Sequence, residues 1–221
     1  MTYSSKILSF LSDLEIRQQL PKGVTVLNPY KDKLIFTHCK KFYHKYYDDS
    51  KPRTMIVGIN PGRFGGGLTG IPFTDPVKLE QECGITNDLP KKTELSADFI
   101  YQLINAYGGK EKFYQKFYFS SVCPLGFTSQ GKNFNYYDTP ALSKAVYPFI
   151  LETLQTQIAF GINTRVVYCL GEGKNFKFFA TLNEKEKLFD TIVPLPHPRF
   201  IMQYKRKKID DYINSFVNTL K

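Results

Sequence analysis

Two side chains of this sequence could take part in catalysis, and both lie where open α/β sheets bind ligands. Asn60 follows the apolar, β-rich run 54–57, and His197 follows the run 190–195, which also has the pattern of a strand. Ligands of such sheets bind beyond the carboxyl ends of the strands, so a site is expected at Asn60. An imidazole can polarise a substrate or transfer a proton near neutral pH, although a single histidine is more often structural than catalytic.

The segment that contains Asn60, residues 58–73, has six glycines and two prolines in its sixteen positions. Glycine loses much backbone entropy on folding and proline lacks an N–H, so this composition predicts a built loop without regular helix or strand. The glycine content alone would equally fit a simple connection between two elements. The order of the residues favours a binding loop.

That order resembles the first motif of the uracil-DNA glycosylase superfamily, most closely the motif of its single-strand-selective monofunctional branch. The positions in register with it are Gly58, Asn60, Pro61, Gly62, Phe64, Gly65, Thr69, Gly70, Pro72 and Phe73. Further matches are the segment 195–198, Leu-Pro-His-Pro, and the segment 123–125, Cys-Pro-Leu. The resemblance spans about residues 54 to 202. It implies a three-layer α/β/α fold around a central, four-stranded, mainly parallel sheet.

The resemblance also implies roles for individual residues. Asn60 would hold the attacking water through its amide oxygen, and His197 would give the developing base anion a hydrogen bond or a positive field. Backbone N–H groups near Ile59 and Gly62 would add to this stabilisation. Phe73 would stack on a base flipped out of DNA, with core packing as the alternative. No lysine nucleophile is needed, so monofunctional hydrolysis is expected.

One position departs from the family in a way that bears on the substrate. The family's matching strand has an asparagine that reads the Watson–Crick edge of uracil, and Ser121 stands at that position here. A hydroxyl is smaller than an amide and rotates, so discrimination against other bases should weaken. Deaminated purines such as xanthine and hypoxanthine are therefore expected to fit alongside uracil.

Several residues near the two loops are candidates for contact with DNA. Arg63 stands where the family has a proline, and it could contact a phosphate or face solvent. Arg199 and Phe200 belong to an apolar segment that could fill the space left by an extruded nucleotide. The cations that follow are Lys205, Arg206, Lys207 and Lys208. A charge run is usually a solvated helix face, but its place beside a DNA-entering loop favours phosphate contact.

Length, charge and cysteine spacing limit the classes to which the protein can belong. The 221 residues suit a single domain over 1–221, and the net charge of +10 favours nucleic acid as a partner over an anionic membrane surface. The chain shows no signal-peptide pattern and no membrane-spanning run, so a soluble protein of the cytoplasm is expected, nucleoid-associated in a bacterium and nuclear in a eukaryote. The cysteines are scattered along the chain, so no metal and no cofactor are expected. The protein is also expected to be a monomer.

The remaining pattern predicts strands that alternate with helices, which implies a parallel sheet covered on both faces. The predicted strands are residues 54–57, 117–123, 165–170 and 190–195. The predicted helices are residues 5–20, 34–47, 75–82, 96–107, 139–158, 174–182 and 203–220. Residues 171–174 lack the spacing of a phosphate-binding loop and are predicted to form a tight turn.

These features together predict a DNA glycosylase that removes uracil and other deaminated bases during base excision repair. A non-catalytic nucleic-acid-binding protein of the same fold is the alternative, and the presence of both Asn60 and His197 argues against it. A small-molecule α/β hydrolase has no support, because the chain lacks a Gly-x-Ser-x-Gly nucleophile elbow.

Overall fold

The computed structural model describes every residue from Met1 to Lys221. Its strands are β1 (Val24–Leu27), β2 (Arg53–Gly58), β3 (Phe117–Ser121), β4 (Gly126–Ser129), β5 (Lys132–Phe134), β6 (Ile162–Leu170) and β7 (Thr191–Leu195). Its α-helices are α1 (Tyr3–Asp13), α2 (Lys33–Tyr47), α3 (Gly66–Thr69), α4 (Pro76–Gln81), α5 (Leu95–Tyr107), α6 (Lys110–Lys116), α7 (Pro140–Ile158), α8 (Lys174–Glu186), α9 (Pro198–Tyr204) and α10 (Ile209–Leu220). Short 3-10 helices cover Pro29–Lys31 and Arg206–Lys208.

Four strands form the central sheet in the order β3-β2-β6-β7, and all neighbours are parallel. Parallel neighbours need crossover connections, and the helices between these strands supply them, so helices cover both faces. A strand buried on both faces is continuously apolar, as in β2, where Met55, Ile56 and Val57 are at most 2% exposed. The predicted three-layer α/β/α fold is confirmed.

The carboxyl ends of the parallel strands lie at one edge of this sheet. Gly58 at the end of β2 is in register with Ser121 at the end of β3. Leu170 at the end of β6 is in register with Leu195 at the end of β7. Asn60 follows β2 and His197 follows β7, so the sheet delivers both side chains to the same edge of the molecule.

A second sheet, with the order β1-β4-β5, is absent from the sequence prediction. Its strands are antiparallel, and the turn between β4 and β5 contains Gln130 and Gly131, both with positive φ (50° and 70°). Two consecutive residues of that conformation form the tight turn that suits a β-hairpin. Strands of three or four residues give almost no alternating pattern, which is why the sequence does not reveal them.

The structure corrects several predicted helix boundaries. α1 ends at Asp13 instead of Leu20, because Leu14 is extended and its carbonyl accepts a hydrogen bond from Asn28. The predicted helix over 203–220 begins in the last residues of α9, breaks at Lys205 and a 3-10 turn, and continues as α10 from Ile209. Helix α6 is absent from the sequence prediction.

The glycine-rich loop 58–73 also departs from expectation, because it contains the short helix α3. The helix begins after Gly65 and ends at Gly70, which have φ values of 65° and 71°. Only glycine adopts such angles without strain, so these two residues let the chain enter and leave a single helical turn. The glycines that predicted a loop without helix thus begin and end a very short helix.

None of the helices combines the length and apolar character needed to cross a bilayer. All four cysteines are buried and free. Burial raises the pKa of Cys39, Cys123 and Cys169 to about 12, so their thiols stay neutral and act as small core side chains.

Candidate active site

An open cavity of about 410 Å³ lies at the carboxyl edge of the parallel sheet. The predicted site residues that line it are Ile59, Asn60, Gly62, Phe73, Ser121, His197, Arg199 and Phe200. Pro61, Gly66 and Pro72 of the glycine-rich loop line it as well, and the segment from Gly65 to Thr69 was expected to shape the pocket wall. The lining residues that sequence reasoning missed are Glu94, Ser96, Asn133, Asn135, Gln203 and Tyr204. Arg63 and the run 205–208 are exposed outside the cavity. The structure therefore brings the two predicted loops together around one pocket.

A second cavity of about 430 Å³ lies between α1 and α7. Its walls mix cations such as Lys6 and Arg17 with anions such as Glu15 and Glu152, and no predicted site residue reaches it. The chemistry suggested by the sequence is confined to the cavity at the sheet edge.

The amide of Asn60 is held in one orientation by the chain that follows β5. Its Oδ1 accepts a hydrogen bond from the Tyr136 backbone N–H at 3.2 Å. Its Nδ2 donates to the carbonyls of Phe134 at 3.3 Å and Pro61 at 3.4 Å. An amide oxygen has two acceptor sites, so Oδ1 can still accept a hydrogen bond from a water molecule.

His197 caps the start of helix α9, and this fixes its tautomer. Its Nδ1 accepts a hydrogen bond from the Arg199 backbone N–H at 3.2 Å, so the ring proton lies on Nε2. Burial, reinforced by the Arg199 guanidinium, lowers the pKa of His197 to about 4. At neutral pH the imidazole is therefore an uncharged hydrogen-bond donor. The positive field allowed by the sequence resemblance does not apply.

Phe73 forms a wall of the cavity in an unusual backbone conformation. Its φ is 55°, which is rare for a bulky side chain. The ring lies 5.3 Å from the ring of Phe119, centroid to centroid. A Cβ added to Gly58 would lie 2.7 Å from Phe73 Cζ. The tip of the ring thus meets the end of β2.

Ser121 and its neighbour Ser120 point to opposite faces of β3, as successive strand residues do. Ser120 donates a hydrogen bond to Gln157 Oε1 at 2.6 Å in the interior. Ser121 lines the cavity, and its hydroxyl makes no hydrogen bond to the protein. The serine that the sequence matches to the family's base-reading asparagine is therefore the one whose hydroxyl is available to a ligand.

Glu94 is an acidic residue of the cavity that the sequence did not reveal. It precedes helix α5, and its backbone N–H donates to Asp75 Oδ2 at 2.9 Å. Its carboxylate lies against Gly65, where an added Cβ would overlap it. Burial and the nearby Asp75 carboxylate raise the pKa of Glu94 to about 7, against an opposing effect of Arg199. No ion pair compensates this carboxylate, so it is partly protonated at neutral pH.

The raised pKa of Glu94 predicts how the free energy of unfolding depends on pH. The folded protein binds the Glu94 proton more tightly than the unfolded chain does, so the free energy of unfolding should fall as pH rises from 4.5 towards 7. Glu94→Gln removes that titration. Relative to the wild type, the variant should gain about 3 kcal/mol between about pH 4.5 and pH 8. Urea unfolding at both pH values measures the gain.

The matched control is Glu172→Gln, which changes an exposed carboxylate. Its stability difference from the wild type should be the same at both pH values. A constant difference for Glu94→Gln as well would show that Glu94 does not titrate in this range.

The rim of the cavity is aromatic and basic. On α9, Phe200 is 43% exposed and Tyr204 is 71% exposed, with their rings 5.6 Å apart. The exposed cations 205–208 follow immediately. On the opposite loop, the guanidinium of Arg63 lies 5.3 Å from the ring centroid of Phe64, which is also exposed. Exposed aromatic rings next to cations are a surface suited to bases and phosphates.

Comparison with known proteins agrees with this geometry. The family model of the uracil DNA glycosylase superfamily matches residues 44–221. The chain is similar to wild-type SMUG2 of Pedobacter heparinus, whose crystal structure superposes with a TM-score of 0.97. The two are 49% identical over 99% of this chain and 97% of the other. No curated protein matches the sequence. The chain belongs to the uracil DNA glycosylase superfamily and is a DNA glycosylase, a hydrolase that acts on N-glycosyl bonds.

Proposed function

We propose that this protein is a monofunctional glycosylase that removes uracil, xanthine and hypoxanthine from DNA, acting as one domain over residues 1–221, as a monomer, without metal or cofactor. The observation that supports it most is the presence in one cavity of an oriented amide, Asn60, and a neutral imidazole donor, His197. As a DNA repair enzyme it would act where the DNA is, in a nucleoid or a nucleus.

In the proposed reaction, Asn60 Oδ1 orients a water molecule towards the sugar carbon that bears the base. The water oxygen bonds to that carbon as the glycosidic bond breaks, and the electron pair of the broken bond leaves with the base. The excess proton on the new sugar hydroxyl then passes to solvent water, and the base anion takes up a proton from solvent. An amide cannot take up the proton of the water at neutral pH, so the barrier is lowered mainly by stabilising the departing anion. His197 Nε2–H would donate to that anion, with backbone N–H groups near Ile59 and Gly62 adding to the effect.

Phe73 would stack on the flipped base, and Ser121 would face its polar edge. The free hydroxyl of Ser121 can either donate or accept, so it can adapt to different bases, whereas an amide presents one fixed pair of groups. A serine side chain is also smaller than that of asparagine, so it leaves more of the cavity to the base. These features support a substrate range that includes deaminated purines.

The test of this range is excision from a panel of DNA duplexes and single strands that contain uracil, xanthine or hypoxanthine. We expect the wild type to remove all three. Ser121→Asn should raise the ratio of the single-turnover rate on uracil to that on xanthine by about fivefold, because one added amide hydrogen bond contributes about 1 kcal/mol. Ser215→Asn, on the exposed face of α10, is the control and should leave the ratio unchanged.

Two results would contradict this assignment. If the wild type removed uracil alone, the broader substrate range would be wrong. If the ratio were the same in the wild type and in Ser121→Asn, Ser121 would not read the base.

DNA would approach over the rim, where we propose that Arg63, Arg199 and the run 205–208 contact phosphates and Phe200 fills the gap left by the flipped nucleotide. Replacing Lys205, Arg206, Lys207 and Lys208 by alanine should weaken DNA binding. It should also reduce the slope of log Kd against log salt concentration, by about 0.9 for each phosphate that the variant no longer neutralises. Binding titrations at several salt concentrations measure both effects.

The control for this variant removes the same charge from the exposed lysines Lys31, Lys33, Lys40 and Lys41. It should change the salt slope less than the rim variant does. Equal slopes in the rim variant and the wild type would mean that the run 205–208 is only a solvated surface.

A further inference from the structure

A buried chain of hydrogen bonds leads from Asn60 into the interior through Tyr136 and Asn175. The Tyr136 backbone N–H donates to Asn60 Oδ1 at 3.2 Å, and the Tyr136 hydroxyl donates to Asn175 Oδ1 at 2.7 Å. Tyr136 is 0% exposed and Asn175 is 1% exposed. Polar groups at this depth have no water to replace a missing partner, so each of them depends on the others.

The far end of this chain of hydrogen bonds returns to β2, the strand that precedes Asn60. Asn175 Nδ2 donates to the carbonyl of Leu170 at 3.1 Å and to that of Gly58 at 3.4 Å, and it lies 3.3 Å from Cys169 Sγ. Gly58 is the last residue of β2, two positions before Asn60. The contacts therefore close a ring in which β2 fixes Asn175, Asn175 fixes Tyr136, and Tyr136 fixes Asn60.

The ring of Tyr136 anchors the same segment by packing. It makes edge contacts with Tyr137 at 5.0 Å and with Phe178 of α8 at 4.8 Å, measured between centroids. Tyr136 lies between β5 and α7, where no strand or helix holds the backbone. The turn 135–138 is held by hydrogen bonds of its own, from the Asn135 N–H to Asp138 Oδ2 at 2.7 Å and from the Asp138 N–H to the Asn135 carbonyl at 3.0 Å. The Tyr136 side chain fixes this turn to the interior, through its aromatic contacts and the bond to Asn175.

We infer that Tyr136 and Asn175 are positioning residues for base excision, which hold the Asn60 amide in the orientation that presents Oδ1 to the attacking water. This inference rests on the proposed function of Asn60. Neither residue lines the cavity, so neither touches the substrate. Their effect is on geometry, and displacing a reacting group by about 1 Å can lower a rate by about a hundredfold.

The test variant is Tyr136→Phe, which keeps the ring and removes only the hydroxyl that bonds to Asn175. The single-turnover excision rate should fall about tenfold, with the affinity for DNA unchanged, because the Asn60 amide loses part of its orientation and the DNA contacts do not change. Asn175→Ala should give a loss of similar size. The double variant should lose no more than the larger single loss, because both act through one chain.

The matched control is Tyr147→Phe. The Tyr147 hydroxyl bonds to Glu186 Oε1 at 3.0 Å, and its ring also neighbours Phe178, at 6.3 Å. It has no link to Asn60, so this variant should excise at the wild-type rate. Urea unfolding of all variants shows whether a lower rate reflects unfolded protein.

The decisive measurement repeats Tyr136→Phe in an Asn60→Ala background. If Tyr136 acts through Asn60, its hydroxyl has no further effect once the amide is gone. A further tenfold loss, or no loss from Tyr136→Phe alone, would overturn the inference. If Asn60→Ala itself excised at the wild-type rate, the proposed function of Asn60 would fail, and this outcome is distinct from a failure of the positioning chain.

Discussion

Replacing Asn60 by alanine should lower the single-turnover rate of uracil excision by about a thousandfold and leave the affinity for DNA nearly unchanged. In the proposed mechanism the amide orients a water that bonds to the sugar only in the transition state, whereas DNA binding would depend on phosphate contacts at the rim. Alanine also leaves the Tyr136 N–H and the Phe134 carbonyl without their partner. Rapid-quench measurement on a uracil duplex, with a parallel binding titration, separates the two effects.

The control is Asn214→Ala on the exposed face of α10, which should excise at the wild-type rate. An Asn60→Ala protein that excised as fast as this control at equal concentration would remove Asn60 from the mechanism. A parallel loss of DNA binding would instead indicate that the loop 58–73 had moved.

Loss of the imidazole in His197→Ala should slow excision by about a hundredfold to a thousandfold, the range seen when one donor to a developing anion is removed. His197→Gln should recover part of the rate, because its amide can also donate. The pKa of His197 is about 4, so the imidazole is already neutral throughout the range from pH 6 to pH 8. The ratio of wild-type to His197→Ala rates should therefore be constant across that range.

A rate profile measured at half-unit pH intervals tests this expectation. If the ratio rose steadily as the pH fell from 8 to 6, the protonated imidazole would be the active form. If the alanine variant excised at the wild-type rate, His197 would have only its structural role as the cap of α9, where Nδ1 accepts the Arg199 N–H.

The parallel sheet and the two loops that carry Asn60 and His197 could be predicted because their signals are local. The apolar runs that became β2, β3, β6 and β7 are continuous, and buried parallel strands require that composition. Asn60 and His197 directly follow two of these runs, so the rule that ligands bind at strand ends was enough to place them together. The burial that lowers the pKa of His197 depends on the packed fold and was not visible in the sequence.

The rest of the site depends on contacts between residues far apart in the chain. Tyr136 holds Asn60 across 76 positions, and Asn133 accepts the Arg63 N–H across 70. Both come from the hairpin and the segment after it, whose short strands give no periodic signal. The sequence around Glu94 contains no motif that marks it as a site residue. Only the fold, which places it beside Asp75 and Gly65, distinguishes it from other glutamates. Long-range placement of this kind cannot be recovered from composition or spacing.

The contact between Gly58 and Phe73 limits how the pocket can be redesigned. Any larger residue at position 58 would displace the Phe73 ring, since its Cβ would lie 2.7 Å from Cζ. The ring cannot retreat freely, because Phe119 packs against it. A combinatorial library that varies position 58 alone would therefore yield few active clones. A library that couples a larger residue at 58 with a smaller one at 73 could reshape the wall of the pocket while leaving Asn60 in place.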